Sequence, residues 1–114
     1  MKSKILALSK NDEFKKLLKE KKISNKYATI FFGILSNKNN QKLNISFVTK
    51  KKIGNAVKRN RIRRKLKAIT KKILKIRGAI NTNYTYIIIC KTKSYTEKYD
   101  KIFLEMQRSF KKLN

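Results

Sequence analysis

The stretch KIGNAVKRNRIRRKLK, residues 52–67, carries two patterns at once. Half of its residues are Lys or Arg and none is acidic, yet Ile53, Val57, Ile62 and Leu66 run through it. A solvated basic tail has no use for those apolar positions. Read onward, Ile62, Leu66, Ile69, Ile73 and Ile76 recur at steps of 4, 3, 4 and 3. That is the apolar stripe of an amphipathic helix. Asn55 is placed to cap its start, and Gly78 can end it in a left-handed conformation. A helix from Asn55 to about Arg77 follows. On a helical wheel Arg61, Arg63, Arg64 and Lys67 avoid the stripe, and Arg59 falls on its flank. The expectation is a helix seated on a sheet by its apolar edge, its cations displayed outward and at its N-terminal end.

The flanking segments supply the sheet. YATIFFGIL (27–35) and LNISFVT (43–49) alternate with the period of two that strands require. In the first, Ala28, Ile30, Phe32 and Ile34 share one face, and Tyr27, Thr29 and Phe31 the other. With SNKNNQK between them as turn material, the two strands read as an antiparallel hairpin. YTYIIIC (84–90) reads as a central strand, short and rich in β-branched residues. Ser9 or Asn11 is placed to cap a first helix with Phe14, Leu17 and Leu18 on one side. Ser94 or Thr96 is placed to cap a last one, which buries Tyr99, Ile102, Phe103, Met106 and Phe110. The order is helix, two or three strands, basic helix, strand, helix: a single α+β domain over 1–114, with helices layered on a small sheet.

Charge narrows the partner. The chain carries 32 Lys+Arg against 6 Asp+Glu, a net of +26. The six acids sit at the two ends, and none falls between Lys21 and Thr96. From Lys50 to Arg77, 14 of 28 residues are cationic. A merely solvated helix would intersperse Glu at i±4 to relieve repulsion. The pattern points to a polyanion, with phosphate gripped bidentately by Arg59, Arg61, Arg63 and Arg64 and attracted by the lysines. Asn60 between arginines is suited to a base, a 2′-hydroxyl or a metal-linked water, or is an ordinary helix residue. Gly54 and Asn55 add the positive end of the helix dipole.

Enzyme chemistry by the chain itself is not expected. It has no His, no paired carboxylates in a plausible cleft segment, no Gly-rich phosphate loop and one cysteine, Cys90, inside an apolar strand. A CxxC-type zinc site is ruled out. No apolar run reaches the ~18 residues of a membrane span, and the N-terminal apolar run is too short for a signal peptide. A reducing cytoplasm fits. Both faces of YATIFFGIL carry aromatics, which suits a platform for unpaired bases. Phe31 is the favoured stacker, with Phe14 across a groove.

The run KKIGNAVKRNRIRRKLK resembles the signature of the bacterial ribonuclease P protein subunit. The matching positions are Lys51-Lys52, Gly54-Asn55-Ala56-Val57, Arg59-Asn60-Arg61 and Arg63-Arg64. The resemblance extends to the early helix with Phe14 and Leu18, the Tyr-x-Ile-Ile-Ile strand and the closing helix. It implies a two-layer α+β sandwich with about four strands in a mixed sheet and a left-handed βαβ crossover. The same fold occurs in the second domain of a small-subunit ribosomal protein. It also implies the partners: a catalytic RNA that cleaves precursor tRNA with Mg²⁺, and the precursor's 5′ leader. Lys51, Lys52, Asn55, Arg59, Asn60, Arg61, Arg63, Arg64 and Lys67 would then contact RNA. Phe14, Leu18 and Phe31 would line a cleft for the leader. No metal site of the protein's own, no DNA and no membrane partner are implied. A ribosomal or other structural RNA-binding protein is the alternative reading, and a membrane-surface protein a second.

Overall fold

The strand β5 (Thr85–Cys90) organises the molecule, because it is apolar on both faces and nearly every residue in it is buried. Such a strand needs neighbours on both edges. In the computed structural model, which describes residues 5–6, 11–34 and 43–113, β5 lies parallel to β4 (Leu43–Val48) and antiparallel to β3 (Ala28–Gly33). β2 (Lys21–Ser24) extends the sheet beyond β3, and the two-residue β1 (Ile5–Leu6) pairs with the start of β4. The order is β1-β4-β5-β3-β2. The result is a mixed sheet of four strands of useful length, with β1 as a short addition.

This arrangement corrects the hairpin expected for 27–35 and 43–49. The two strands sit on opposite sides of β5 and do not pair. Nine residues separate β3 from β4, more than the two to five of a usual hairpin loop, and β5 has two edges to satisfy. Parallel neighbours need a crossover. Here it is the helix α2 (Ala56–Leu74), which connects β4 to β5.

α2 begins where expected: the Asn55 Oδ1 accepts the Lys58 N–H at 2.9 Å. Gly54 before it adopts φ 156°, a conformation that L side chains rarely take. Ile62, Leu66, Ile69 and Ile73 are fully buried, each stabilising by about 1.5–3 kcal/mol. The helix ends at Leu74, so Ile76 lies past it and is exposed. Gly78 (φ 76°) shapes the turn beyond the end and does not cap the helix itself.

After β5 come a short helix α3 (Lys93–Thr96) and α4 (Tyr99–Lys111). Ser94 and Thr96 belong to α3, so neither caps α4, whose N-cap position is Lys98. Ile102, Met106 and Phe110 of α4 join the α2 stripe over Ile30, Ile45, Tyr86 and Ile88. Phe110 meets the Tyr86 ring edge-on at 5.4 Å. Tyr27 turns into this core as well, and does not share the face of Phe31; its hydroxyl donates to Glu97 Oε1 at 3.0 Å. Asn25 makes that entry possible. Its Oδ1 accepts from the backbone N–H groups of Tyr27 and Ala28, and its amide donates to Ser109 Oγ at 2.9 Å.

Among the described residues, the opposite face of the sheet carries one helix, α1 (Asn11–Leu18), packed across β3 and β5. Leu17 is fully buried there. The approach is close: a Cβ on Gly33 would lie 3.0 Å from Leu17 Cδ1. Thr29, Phe31, Ile87, Ile89 and Ser46 share this face by register. Among the described residues the sheet therefore has one closed face and one largely open face.

Candidate nucleic-acid interface

Two surfaces carry the predicted residues. The first is α2. Asn60, Arg61, Arg64 and Lys67 are exposed, while Arg59 and Arg63 are half-buried. The Arg63 Nη1 donates to Thr49 Oγ1 at 2.8 Å, and its Nη2 donates to Asn60 Oδ1. Arg63 is thus turned toward the end of β4, where an outward display was expected. The reason is local. Thr49, just beyond β4, is buried and offers a hydroxyl within reach of the guanidinium. Asn60, open in the sequence reading, orients Arg63.

Among the described residues β1 pairs with Leu43 and Asn44 of β4, and α2 packs against the same strand. Ile45, Ser46, Phe47, Asn60, Arg63, Arg64 and Lys67 line a groove of about 450 Å³ there. Arg61 is not in it. It lies on the other flank of the helix with Lys65 and Tyr95. The cations therefore spread over a broad arc of α2, with Asn60, Arg63, Arg64 and Lys67 gathered on one side. Arg59 sits at the border, and its Nε is buried with no hydrogen-bond partner. Among the described residues the ion pairs are Lys101–Glu97 and Arg108–Glu105, and neither takes a cation of α2. Lys51 and Lys52 are exposed in a short 3₁₀ turn ahead of α2. Asn55 spends its side-chain oxygen on the cap.

The second surface is the open face. Phe31 is half-buried there, with the Lys22 ammonium 5.7 Å from its ring centre. Leu18, on the helix bordering that face, is 37% exposed. Phe14 falls within α1, but its side chain lies outside the described residues. Toward the far end, Thr29, Ile89, Lys50, Lys52 and Lys91 line a depression of about 260 Å³. Lys91 Nζ is held there by Ser24 Oγ at 2.7 Å and the Asn25 carbonyl at 2.6 Å. Lys22, Lys50 and Lys91 were not picked out from sequence. Lys22 is opposite Phe31 only through the β2–β3 register, which no local pattern announces.

Cys90 is buried, and burial pushes its thiol up to about 12. At neutral pH it is a protonated, inert core group. Among the described residues, no helix is long and apolar enough to cross a membrane.

Fold and surface together define a small α+β domain that offers a polyanion one cationic helix and one open sheet face. The protein-family comparison is specific. The Ribonuclease P family model matches residues 3–114. The ribonuclease P protein component of Clostridioides difficile is 33% identical over 107 residues, covering 93% of this chain and 86% of that one. That of Carboxydothermus hydrogenoformans is 30% identical over 101 residues, covering 87% and 83%. The ribonuclease P protein of Thermotoga maritima has the same fold, with a TM-score of 0.77 at 19% identity over 96% of this chain and 98% of that one. The chain belongs to the ribonuclease P protein family, and its function is that of a protein subunit of this RNA-cleaving enzyme.

Proposed function

We propose that the chain binds the catalytic RNA of ribonuclease P through the cationic arc of α2, and the 5′ leader of precursor tRNA along the open face of the sheet. The observation that carries this is the division of the sheet into two faces. α2 and α4 close one, and the other keeps Phe31 accessible beside Lys22, with Lys50, Lys52 and Lys91 at one end. Arg61, Arg64 and Lys67 neutralise phosphates of the catalytic RNA, and the Asn60–Arg63 pair holds the wall of the groove in shape. A leader strand follows the open face, with a base on Phe31 and its backbone passing the lysines.

The protein then acts by electrostatics and positioning. Two RNAs meet at a surface that removes part of their mutual repulsion, so less Mg²⁺ is needed to hold them together. The bond cleavage itself belongs to the RNA, since this chain supplies no acid–base pair for it. A protonated buried thiol and the lack of other cysteines suit the reducing cytoplasm in which such an enzyme would work. Reconstitution with a bacterial ribonuclease P RNA at low Mg²⁺ tests the reading. Leader removal that depends on this chain is the expected result. RNA that cleaves no better with the chain than without it would overturn the reading.

A further inference from the structure

The flank of α2 away from β4 carries Arg61 in a cluster of its own, separate from the groove beside β4 and from the open sheet face. Tyr95, the third residue of α3, is 37% exposed. The Lys58 ammonium stands 5.0 Å from its ring centre. Arg61, Ile62, Lys65 and Tyr95 line a cavity of about 390 Å³, within the range of small-ligand sites of about 300–1,000 Å³. The neighbouring acid, Glu97, does not neutralise it. Its carboxylate accepts from the Tyr27 hydroxyl and pairs with Lys101 at 3.9 Å. Lys65 donates to the Glu97 backbone carbonyl and so braces the pocket against α2.

We propose that this pocket is a second RNA subsite, which takes one unpaired nucleotide of the catalytic RNA. The base stacks on Tyr95, and its phosphate is held by Arg61 and Lys58. The inference rests on the reading that α2 binds that RNA. Three features argue for a nucleotide. An aromatic ring surrounded by cations is the chemistry that single strands use, and the ring tolerates any base. The ammonium now over the ring is a weaker partner at an exposed site than a nucleobase; displaced, Lys58 is free to turn to the phosphate. Arg61 is the direct neighbour of Asn60, so an RNA lying across α2 reaches both flanks at once.

The chain has no tryptophan, so Tyr95→Trp places a single reporter in the pocket. Titrated with a bacterial ribonuclease P RNA transcript, its fluorescence is expected to be quenched as the complex forms. Tyr95→Leu should weaken RNA binding about tenfold, with the salt dependence unchanged because no cation is lost. Arg61→Gln should reduce the salt slope by about 0.7–0.9. Tyr95→Phe, which keeps the ring, should bind as the parent does. An indole reporter that stays unquenched in an assembled complex that removes leaders would overturn the subsite and leave the proposed function standing. A chain that does not bind the RNA at all would overturn both.

Discussion

Arg63 donates a hydrogen bond to Thr49 across 2.8 Å, and this contact ties the second turn of α2 to the end of β4. Thr49 is buried, and the other arm of the guanidinium goes to Asn60. Three residues from two elements thus fix one wall of the groove before any RNA arrives. A wall set in advance costs less ordering on binding. The same lock leaves Arg64 and Lys67 on the exposed side, where the proposed function has them meet phosphate.

Thr49→Val keeps the shape and removes the acceptor. Urea unfolding should show a loss of about 1 kcal/mol, typical of one hydrogen bond. Affinity for the catalytic RNA should fall a few-fold, while its salt dependence stays the same, since every cation remains. A variant with a flattened salt slope would mean that Arg63 contacts phosphate directly in the wild type.

Phe31 offers a separate test, because it lies on the open face and away from α2. Phe31→Ala should lower affinity for leader-bearing precursor tRNA by about 1–3 kcal/mol, the range for one stacked base. Mature tRNA, which lacks the leader, should bind as before. Equal losses for the two would count against a leader on this face.

How far the sequence is legible varies with the range of the interactions. α2 is plain, because a long stripe at helical spacing and an Asn cap are local signals, and Ile62 through Ile73 are buried as the stripe requires. Its last turn is not, because Ile76 matches the spacing although the chain has already left the helix. β2 escapes notice since KKIS has a single apolar residue; edge strands are often charged. The hairpin fails because alternation reports a strand and not its partner, and only the two-sided burial of β5 separates β3 from β4. In the site, the cationic arc is visible by composition alone. The inward turn of Arg63 depends on Thr49, fourteen positions earlier. The pairing of Lys58 with Tyr95 likewise depends on how α3 returns to α2.

Alkaline pH should weaken the fold through Cys90. Burial raises its thiol from 9.0 to about 12. Below the unfolded value both states are protonated, and the contribution is complete. Above it the unfolded thiol ionises first, and stability falls as pH rises toward about 12, by at most ~1.4 kcal/mol per pH unit. Tyr86 and Tyr27, also raised mainly by burial, add to the loss above their ordinary value of 10.0. Urea midpoints between pH 8 and 11 should decline, and Cys90→Ala should make the decline shallower. Alkylation of the native thiol at pH 8 should be far slower than in urea; equal rates would mean that Cys90 is not buried.

The salt dependence of binding to a bacterial ribonuclease P RNA tests the role of α2 most directly. With Arg64→Gln and Lys67→Gln together, two phosphate contacts disappear. The slope of log K against log salt should then fall in magnitude by about 1.4–1.8, at 0.7–0.9 per contact. A double variant with the wild-type slope and affinity would contradict the assignment of this helix to the catalytic RNA.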